Sequence, residues 1–510
     1  MQFYQRLRTE LKARKEAGNL RELPMVQFSD DNIVLDHTRY IDLSSNDYLG
    51  IARDINFLST FIETMTDTST ASTGSDFAGK FLLRTVGGGS TGSRLLTGNH
   101  YSFAYFEELV ASLYNRCIFS NQSFGPCVDE AKLKADLQSG SWAKNSVHKS
   151  QDSELYPNLE LYHNDKHDSK SKGKGKGKHK DGHKGHAVHG SSHTEHDSCH
   201  TEQGCCEAKA ATYERECLYL NSGFDANLGI LSTLFTKNDL LLVDKLSHAS
   251  IIDGMLNSKA KSLRYVHNDM EHLESLLEKY HQDYENIVIV TESIFSMDGD
   301  RAKLKEIVAL KERYDNVLIY VDEAHSFGLL GEDGLGLCQE LNIVDKVDFL
   351  MATLSKAIGS YGAFLICSKE VKDYLVNFMR PLIFATALPP VNVTFSLYVV
   401  GLMSNDSMKY KRDYLKKICD YFHNNLVELG ISPSESQIQP LITGDSQKAL
   451  QACDVFKHFG LLALPIRHPT VPQNMARLRL SLNCNLRVDD LDLITKVIKR
   501  YRHLFVDAKS

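Results

Sequence analysis

The chain has 510 residues, of which 42% are hydrophobic and 24% charged, and its formal net charge at pH 7 is −7. This composition is typical of a soluble globular protein large enough for two or three domains, and it gives no electrostatic reason to expect nucleic acid or an anionic membrane as a partner. The first residues are charged and no apolar run could span a bilayer, so we expect neither a signal peptide nor a membrane anchor. Eleven cysteines without a recognisable framework suit a reducing compartment, and we therefore expect a cytoplasmic protein of enzyme size.

Hydrophobic patterning divides the chain into three parts. In residues 1–45, the spacing of Leu7 and Leu11 indicates a helix and residues 26–43 indicate a hairpin, which predicts an N-terminal arm. In residues 46–403, helical patterns alternate with short apolar runs at 217–220, 240–243, 287–290, 317–321 and 363–367. This alternation predicts a large α/β domain with a mostly parallel sheet covered on both faces. Residues 404–510 have longer helices between fewer strands, which predicts a smaller α+β domain.

Residues 116–214 interrupt this pattern. Apolar periodicity fades there, residues 169–180 have low complexity, and seven histidines follow between His179 and His200. Such a stretch cannot bury enough apolar surface to offset its ordering entropy, so we predict a disordered insertion. Its histidines and cysteines could tether zinc or nickel, but their spacing matches no closed four-ligand motif, and no specific metal site is predicted. Because the insertion precedes the strand at 217–220, it should project from the amino-end edge of the sheet.

Three polar residues follow predicted strands at the carboxyl edge of the sheet, where the ligands of open α/β folds bind. Asp322 and His325 follow the apolar run 317–321, and Lys356 follows the run 349–354. An amine, a carboxylate and an imidazole are what pyridoxal phosphate needs: a Schiff-base lysine, an acidic partner for the pyridinium nitrogen and a donor for the ring hydroxyl. Alone, each residue is better explained as a surface lysine or a strand-end cap. The combination favours the cofactor.

Two further segments support a cofactor that carries a phosphate. Ser222-Gly223-Phe224 follows a strand and opens a helix, whose first N–H groups and positive dipole end form a natural phosphate site. By itself this segment would be only a helix cap. His248 follows the run 240–243 and could lie flat on a cofactor ring, although it too could be an ordinary cap. Residues 87–94 are rich in glycine but lack the Lys-Ser/Thr of a P-loop, so nucleotide binding is not predicted.

Taken together, these segments resemble the α-oxoamine synthases, which are fold-type I pyridoxal-phosphate enzymes that condense an amino acid with an acyl thioester and release carbon dioxide. The resemblance runs from Gln2 to about Arg502, excluding the insertion. It rests on the collinear motifs Leu43–Gly50, Asp244–Ser250, His267–Asp269, Glu292–Asp300, Val321–His325 and Arg477–Leu480.

Within the family, two segments are most similar to the 8-amino-7-oxononanoate synthases of biotin biosynthesis, Ile438–Asp445 and Ile466–Pro472. Those enzymes join L-alanine to a pimeloyl thioester. The resemblance therefore implies L-alanine and pimeloyl-CoA or pimeloyl-acyl carrier protein as substrates. The segment Pro469–Pro472 also resembles the 5-aminolevulinate synthases.

The resemblance implies four catalytic residues. Lys356 would bind the cofactor as a Schiff base and later move the Cα proton of the amino acid. Asp322 would keep the pyridine nitrogen protonated. His325 would donate a hydrogen bond to the ring O3′, and His248 would stack on the ring face.

The resemblance also implies residues that hold the rest of the cofactor. The N–H groups of Gly223 and Phe224, with the Thr353 hydroxyl, would hold the phosphate. Thr386 would reach that phosphate from the partner subunit, because the family suggests a homodimer with its active site at the subunit interface. Ser296 would lie beside the ring.

For the substrates, the resemblance implies that Arg479, helped by Asn46, binds the carboxylate and that Arg21 lies near the acyl-chain entrance. The sequence departs from the family pattern at two positions. Ser355 replaces the glycine that often precedes the lysine, and its small side chain should be tolerated. The glycine-rich loop has Ser93-Arg94 where some members have a histidine, which leaves the acyl contacts there undefined.

Other functions stay open. A sister enzyme of the family could join glycine or serine to another acyl-CoA, as 2-amino-3-ketobutyrate CoA ligase, 5-aminolevulinate synthase and serine palmitoyltransferase do. A metal-binding protein that uses the His-rich insertion is disfavoured by the intact set Lys356, Asp322, His248 and His325. A regulatory subunit of a heteromer is disfavoured by the intact Lys356.

Overall fold

The structure is a computed structural model that describes residues 2–16, 20, 23–29, 32–66, 89–121 and 214–506. Its strands are β1 Val26–Ser29, β2 Asn32–Leu35, β3 Thr38–Asp42, β4 Glu216–Leu220, β5 Asp239–Asp244, β6 Lys261–Tyr265, β7 Asn286–Glu292, β8 Val317–Asp322, β9 Phe349–Thr353, β10 Ala363–Cys367, β11 Ile438–Gly444, β12 Leu461–Leu462, β13 Leu464–Ile466 and β14 Ala476–Ser481. Its α-helices are α1 Gln2–Glu16, α2 Ile55–Thr66, α3 Tyr101–Asn121, α4 Gly223–Leu234, α5 Ala249–Asn257, α6 Met270–Tyr280, α7 Leu304–Lys311, α8 Leu337–Glu340, α9 Lys369–Phe378, α10 Arg380–Phe384, α11 Pro390–Gly401, α12 Asp406–Glu428, α13 Ser446–His458 and α14 Val488–Arg500.

A seven-stranded sheet forms the centre of the molecule, in the order β4-β10-β9-β8-β7-β5-β6. β10 is antiparallel to both of its neighbours, and the remaining pairs are parallel. Every residue of β5 is buried, with Leu240 and Leu242 in one hydrophobic cluster and Leu241 and Val243 in another. Burial on both faces explains the continuous apolar runs. The predicted α/β architecture with a mostly parallel sheet is confirmed.

Two smaller sheets lie outside the central one. β1, β2 and β3 form an antiparallel meander, and β3 pairs in parallel with β12 near the other end of the chain. β11, β14 and β13 form an antiparallel sheet of three strands. The N-terminal segment is therefore tied to the C-terminal region by main-chain hydrogen bonds. The division into an arm, a large domain and a small domain at residues 45 and 403 stays a prediction.

The ends of the predicted insertion lie at one edge of the central sheet, although residues 122–213 are outside the described part of the chain. Asn115, in α3, and Arg215, just before β4, exchange two hydrogen bonds of 3.0 and 2.8 Å. Arg215 also donates to the carbonyls of Asp345 and Val347, which precede β9. Both flanks therefore lie at the amino-end edge, opposite the carboxyl ends of the parallel strands. The predicted disorder of the insertion falls on residues that are not described.

Candidate active site

The carboxyl edge of the central sheet gathers most of the predicted site residues. Glu292, Asp322 and Thr353 are the last residues of β7, β8 and β9. β7 and β8 pair in register, so Glu292 lies opposite Asp322. His248 caps α5, which follows β5, and its ring Nδ1 accepts a hydrogen bond from the Ser250 N–H. Parallel strands thus bring two carboxylates and an imidazole to one edge.

Lys356 and His325 form the centre of the site. The Lys356 Nζ lies 2.9 Å from His325 Nε2. The other ring nitrogen of His325, Nδ1, lies 2.8 Å from the hydroxyl of Tyr48, whose side chain is fully buried. Gln437 donates to the main-chain carbonyl of His325 at 2.9 Å. The imidazole is therefore fixed at both ring nitrogens and through its main chain.

Arg479, on β14, brings a guanidinium to the same place. Its Nη2 donates to the side-chain carbonyl of Asn46 at 3.2 Å and to the Tyr48 hydroxyl at 3.3 Å. Its Nε donates to the main-chain carbonyl of Ser296 at 2.6 Å, and its Nη1 donates to the Ser481 hydroxyl at 2.9 Å. The two residues proposed to bind the substrate carboxylate, Arg479 and Asn46, are thus adjacent. Ser296 contacts Arg479 through its main chain, and its place beside a cofactor ring stays a prediction.

Asp322 belongs to a buried network that fixes its orientation. Its Oδ2 accepts a hydrogen bond from the Asn227 amide at 2.8 Å. Asn227 is fixed in turn, because its side-chain oxygen accepts from the Tyr320 hydroxyl at 2.6 Å and its amide also donates to Ser250 at 3.0 Å. The Ser250 hydroxyl lies 2.7 Å from Nδ1 of His248. One network therefore positions two of the predicted catalytic residues.

The start of α4 has the features of a phosphate site. Ser222 caps the helix by accepting from the Asp225 N–H at 3.1 Å. A Cβ built on Gly223 would lie 3.6 Å from the Thr353 hydroxyl, so the helix start and this hydroxyl face the same space. Phe224 is 44% exposed, and its N–H is one of the first-turn groups that have no partner within a helix. An anion in this space would meet the positive end of the helix dipole.

Three further residues were related to the phosphate or the acyl substrate by sequence resemblance. Thr386 is exposed, and its main-chain carbonyl accepts from Asn221 of the same chain at 2.8 Å. Its reach into a partner subunit stays a prediction. Arg21 lies outside the described residues. Arg94 forms an ion pair of 2.7 Å with the buried Glu107, so its guanidinium supports the fold.

Burial controls the ionisation of the site. It lowers the pKa of Lys356 to about 8, against the attraction of the amine to Asp322 and Glu292. Burial and the neighbouring Lys356 hold the pKa of His325 well below its usual value, and burial also lowers the pKa of His248. Burial and the facing Asp322 raise the pKa of Glu292 well above its usual value. Near neutral pH both imidazoles are therefore neutral, and part of the Lys356 population carries an unprotonated amine.

Sequence reasoning missed three residues of the site: Tyr48, Asn227 and Glu292. Tyr48 and Glu292 lie within motifs of the sequence, and Asn227 lies three residues after Phe224, but none was assigned a role. The available signal was a polar side chain in an apolar segment, since Glu292 ends an apolar strand and Asn227 lies early in an apolar helix. Tyr48 gave a weaker signal, because a tyrosine beside Leu49 is equally typical of a core position.

Two other kinds of feature are absent from the described ranges. No group of three or more histidine, cysteine, aspartate or glutamate residues is placed there to hold a metal ion. None of the helices in those ranges has the length and apolar character needed to cross a membrane.

Comparison with known protein sequences agrees with this geometry. Residues 178–498 match the family described as aminotransferase class I and II. A protein of Glaesserella parasuis serovar 5, assigned as an 8-amino-7-oxononanoate synthase, is 45% identical over 285 residues, which are 55% of this chain and 74% of that protein. A protein of Pasteurella multocida with the same assignment is 43% identical over 56% of this chain and 73% of its own length.

Solved structures show the same fold. A serine palmitoyltransferase of S. paucimobilis, solved with PLP bound, superposes with a TM-score of 0.68 over 98% of this chain and 97% of its own, at 21% identity. At that identity the likeness concerns the fold alone. The 8-amino-7-oxononanoate synthase of Francisella tularensis is 30% identical over 60% of this chain and 87% of its own, with a TM-score of 0.50.

The fold and the site define a fold-type I pyridoxal-phosphate enzyme. The residues present fit this cofactor, because a lysine amine, a buried carboxylate and an open helix start beside a threonine hydroxyl meet at one sheet edge. The chain belongs to the class I and II aminotransferase family and, within it, to the α-oxoamine synthases, which are acyltransferases that depend on pyridoxal phosphate. The resemblance seen in the sequence is confirmed.

Proposed function

We propose that the chain catalyses the decarboxylative condensation of L-alanine with a pimeloyl thioester, which gives 8-amino-7-oxononanoate for biotin biosynthesis. The observation that carries this choice of substrates is the 45% identity to a protein assigned as an 8-amino-7-oxononanoate synthase. The site supports the chemistry, because the amine of Lys356 and the guanidinium of Arg479 are linked through His325 and Tyr48.

Residues of the chain hold the cofactor at several points in this proposal. Lys356 offers the amine for covalent attachment, and Asp322 offers a carboxylate to the pyridine nitrogen. His248 would pack on the ring face, and the start of α4 with Thr353 would hold the phosphate. When bound, pyridoxal phosphate supplies an electron-withdrawing ring that stabilises negative charge at the Cα of the amino acid.

The same residues act on the substrates. Arg479, with Asn46, binds the alanine carboxylate and orients the Cα. The Lys356 amine takes the Cα proton, since burial already lowers its pKa to about 8. The Cα then bonds to the acyl carbon as the thiol leaves, the carboxylate departs as carbon dioxide, and a proton returns to the Cα. His325 would donate a hydrogen bond to the ring oxygen of the bound cofactor.

The proposal extends to assembly and location. We infer a cytoplasmic homodimer in which the partner subunit's Thr386 completes the phosphate site. A large domain of residues 46–403 would then carry the cofactor, and a smaller domain of residues 404–510 would supply Arg479. Arg21 would lie near the entrance for the acyl chain, whose carrier is coenzyme A or acyl carrier protein.

Thiol release tests the choice of substrates. The purified, cofactor-loaded protein is incubated with pimeloyl-CoA and with L-alanine, glycine or L-serine in turn, and Lys356→Ala protein is the control. Release with alanine alone supports the proposal. Release with glycine or serine but not alanine would assign a sister activity, and release that needs no amino acid would contradict condensation altogether.

A further inference from the structure

Tyr48 joins two parts of the site that the proposed mechanism uses separately. Its hydroxyl lies 2.8 Å from Nδ1 of His325 and accepts from Nη2 of Arg479 at 3.3 Å. The same hydroxyl lies 3.1 Å from the side-chain oxygen of Asn46. Tyr48 has no exposed surface, so these contacts do not compete with bulk water. One buried hydroxyl therefore contacts both the residue assigned to the ring oxygen and the residue assigned to the substrate carboxylate.

The number of hydrogens in this network restricts how it can be arranged. A neutral imidazole has one N–H, but His325 has a partner at each nitrogen, Tyr48 at Nδ1 and Lys356 at Nε2. One nitrogen must donate while the other accepts. The Tyr48 hydroxyl likewise has one hydrogen for two acceptors, the oxygen of Asn46 and Nδ1 of His325. The direction in which Tyr48 donates therefore decides which nitrogen of His325 carries the hydrogen.

We propose that Tyr48 is a positioning residue that sets the tautomer of His325. When Tyr48 donates to Asn46, Nδ1–H of His325 donates to Tyr48, and Nε2 accepts from the Lys356 amine. When Tyr48 donates to Nδ1, the hydrogen of His325 is on Nε2 and can be donated to the ring oxygen of the cofactor. The two arrangements contain the same number of hydrogens. The inference rests on the role of His325 in the proposed function.

Arg479 favours the second arrangement. The Tyr48 hydroxyl lies closer to Nδ1 of His325, at 2.8 Å, than to the Asn46 oxygen, at 3.1 Å. When Tyr48 donates to Nδ1, the Asn46 oxygen still accepts a hydrogen bond from Nη2 of Arg479 at 3.2 Å. The positive charge of the guanidinium also makes the Tyr48 hydroxyl a better hydrogen-bond donor. Arg479 and Tyr48 together therefore hold Nε2–H of His325 ready for the cofactor.

The substitution Tyr48→Phe tests this role, because it removes the hydroxyl and keeps the buried ring. The readout is the pH at which the absorbance of cofactor bound to Lys356 changes, measured without substrates. A donor at the ring oxygen stabilises negative charge there, so weakening it makes the bound cofactor hold its proton more strongly. We expect the pKa of the bound cofactor to rise by about half a unit or more in Tyr48→Phe protein.

Tyr114→Phe is the matched control. Tyr114 is also fully buried, and its hydroxyl donates to the Leu335 carbonyl at 2.8 Å. The variant therefore loses a buried hydroxyl elsewhere, and its absorbance titration should equal that of the wild type. An unshifted titration in Tyr48→Phe, or an equal shift in Tyr114→Phe, would overturn the inference.

A second measurement uses the wild-type protein and needs no folded variant of Tyr48. In cofactor-loaded protein labelled with 15N-histidine, the His325 signal, assigned by its loss in His325→Gln, should report a hydrogen on Nε2. A hydrogen on Nδ1 would overturn the inference. Both readouts require no acyl substrate, so an error in the proposed thioester leaves them intact. The lack of any absorbance band that Lys356→Ala removes would instead contradict the proposed cofactor site.

Discussion

The buried amine of Lys356 should make the rate of cofactor uptake depend on pH. Burial lowers its pKa to about 8, and below that pH the amine is protonated and cannot attack the aldehyde of the cofactor. We expect the rate of cofactor uptake by cofactor-free protein to rise about tenfold per pH unit well below pH 8 and to level off above it. Stopped-flow absorbance from pH 6 to 9.5 measures this rate. A rate that is constant over that range would contradict the assignment, and Lys356→Ala protein should develop no band.

Individual residues of the site were predictable from sequence where a charged side chain lies at the end of an apolar strand or just after it. Lys356 and Asp322 met that condition, so their meeting at one edge followed from parallel-strand geometry. Tyr48 and Glu292 could not be given roles, because their function depends on which side chains face them from distant segments. Tyr48 contacts His325 across 277 positions of sequence, and no local pattern specifies such a pair.

At the level of elements, the loop between β7 and α7 connects the central sheet to the small antiparallel sheet. From β14, Arg477 forms an ion pair of 2.5 Å with Asp298 of this loop. From the other side, His267 lies 2.9 Å from Asp244, at the end of β5, and 2.7 Å from Asp300 of the loop. Gly299 is needed between them, because its φ of +71° and its approach to the Ile438 carbonyl exclude a side chain. Arg477 and His267 therefore hold the loop from opposite sides through Asp298 and Asp300, and we call these contacts the clamp.

His267 should stabilise this clamp in a pH-dependent way. Burial opposes its protonation, but hydrogen bonds and attraction to Asp244 and Asp300 prevail and raise its pKa to about 10. A folded-state pKa above the unfolded value means that the stabilisation is complete below about pH 6.5 and is lost as the pH rises towards 10. We expect His267→Gln to lower the free energy of unfolding by about 2–4 kcal/mol at pH 6 and by much less at pH 9.5. Urea titrations at both pH values measure the difference.

A matched control for the clamp is His281→Gln. The ring of His281 hydrogen-bonds main-chain carbonyls of Leu277 and Glu278 and no carboxylate. Its substitution should change the free energy of unfolding by a similar amount at both pH values. If the effect of His267→Gln is also the same at both pH values, protonated His267 does not stabilise the clamp.

On the scale of the whole molecule, the position of the insertion predicts that it is dispensable for catalysis. Its flanks meet at Asn115 and Arg215 on the amino-end edge, whereas Lys356 and Asp322 lie at the carboxyl edge. Replacing residues 122–213 by a short glycine-serine linker should leave cofactor binding intact and turnover within about threefold of the wild type. Absorbance and thiol release measure the two. A folded deletion variant that cannot bind the cofactor would contradict this expectation.

The sequence predicted the central strands better than it predicted the edge strand or the pairing between distant strands. Continuous apolar runs indicated the central strands, because strands buried on both faces have no polar alternation. The edge strand β6 was not predicted, since its sequence Lys261–Tyr265 is half polar and partly exposed. The pairing of β3 with β12 was not predictable either, because strands from opposite ends of a chain carry no local signal of their partner.

The proposed reaction requires that this chain makes a carbon–carbon bond and releases the carboxylate of alanine. The most direct test supplies L-alanine labelled with 13C in its carboxyl group, together with pimeloyl-CoA, to the cofactor-loaded protein. One mole of labelled carbon dioxide per mole of free thiol, with a product that lacks the label, is the predicted result. Free thiol without labelled carbon dioxide would show thioester hydrolysis instead and would contradict the proposed function.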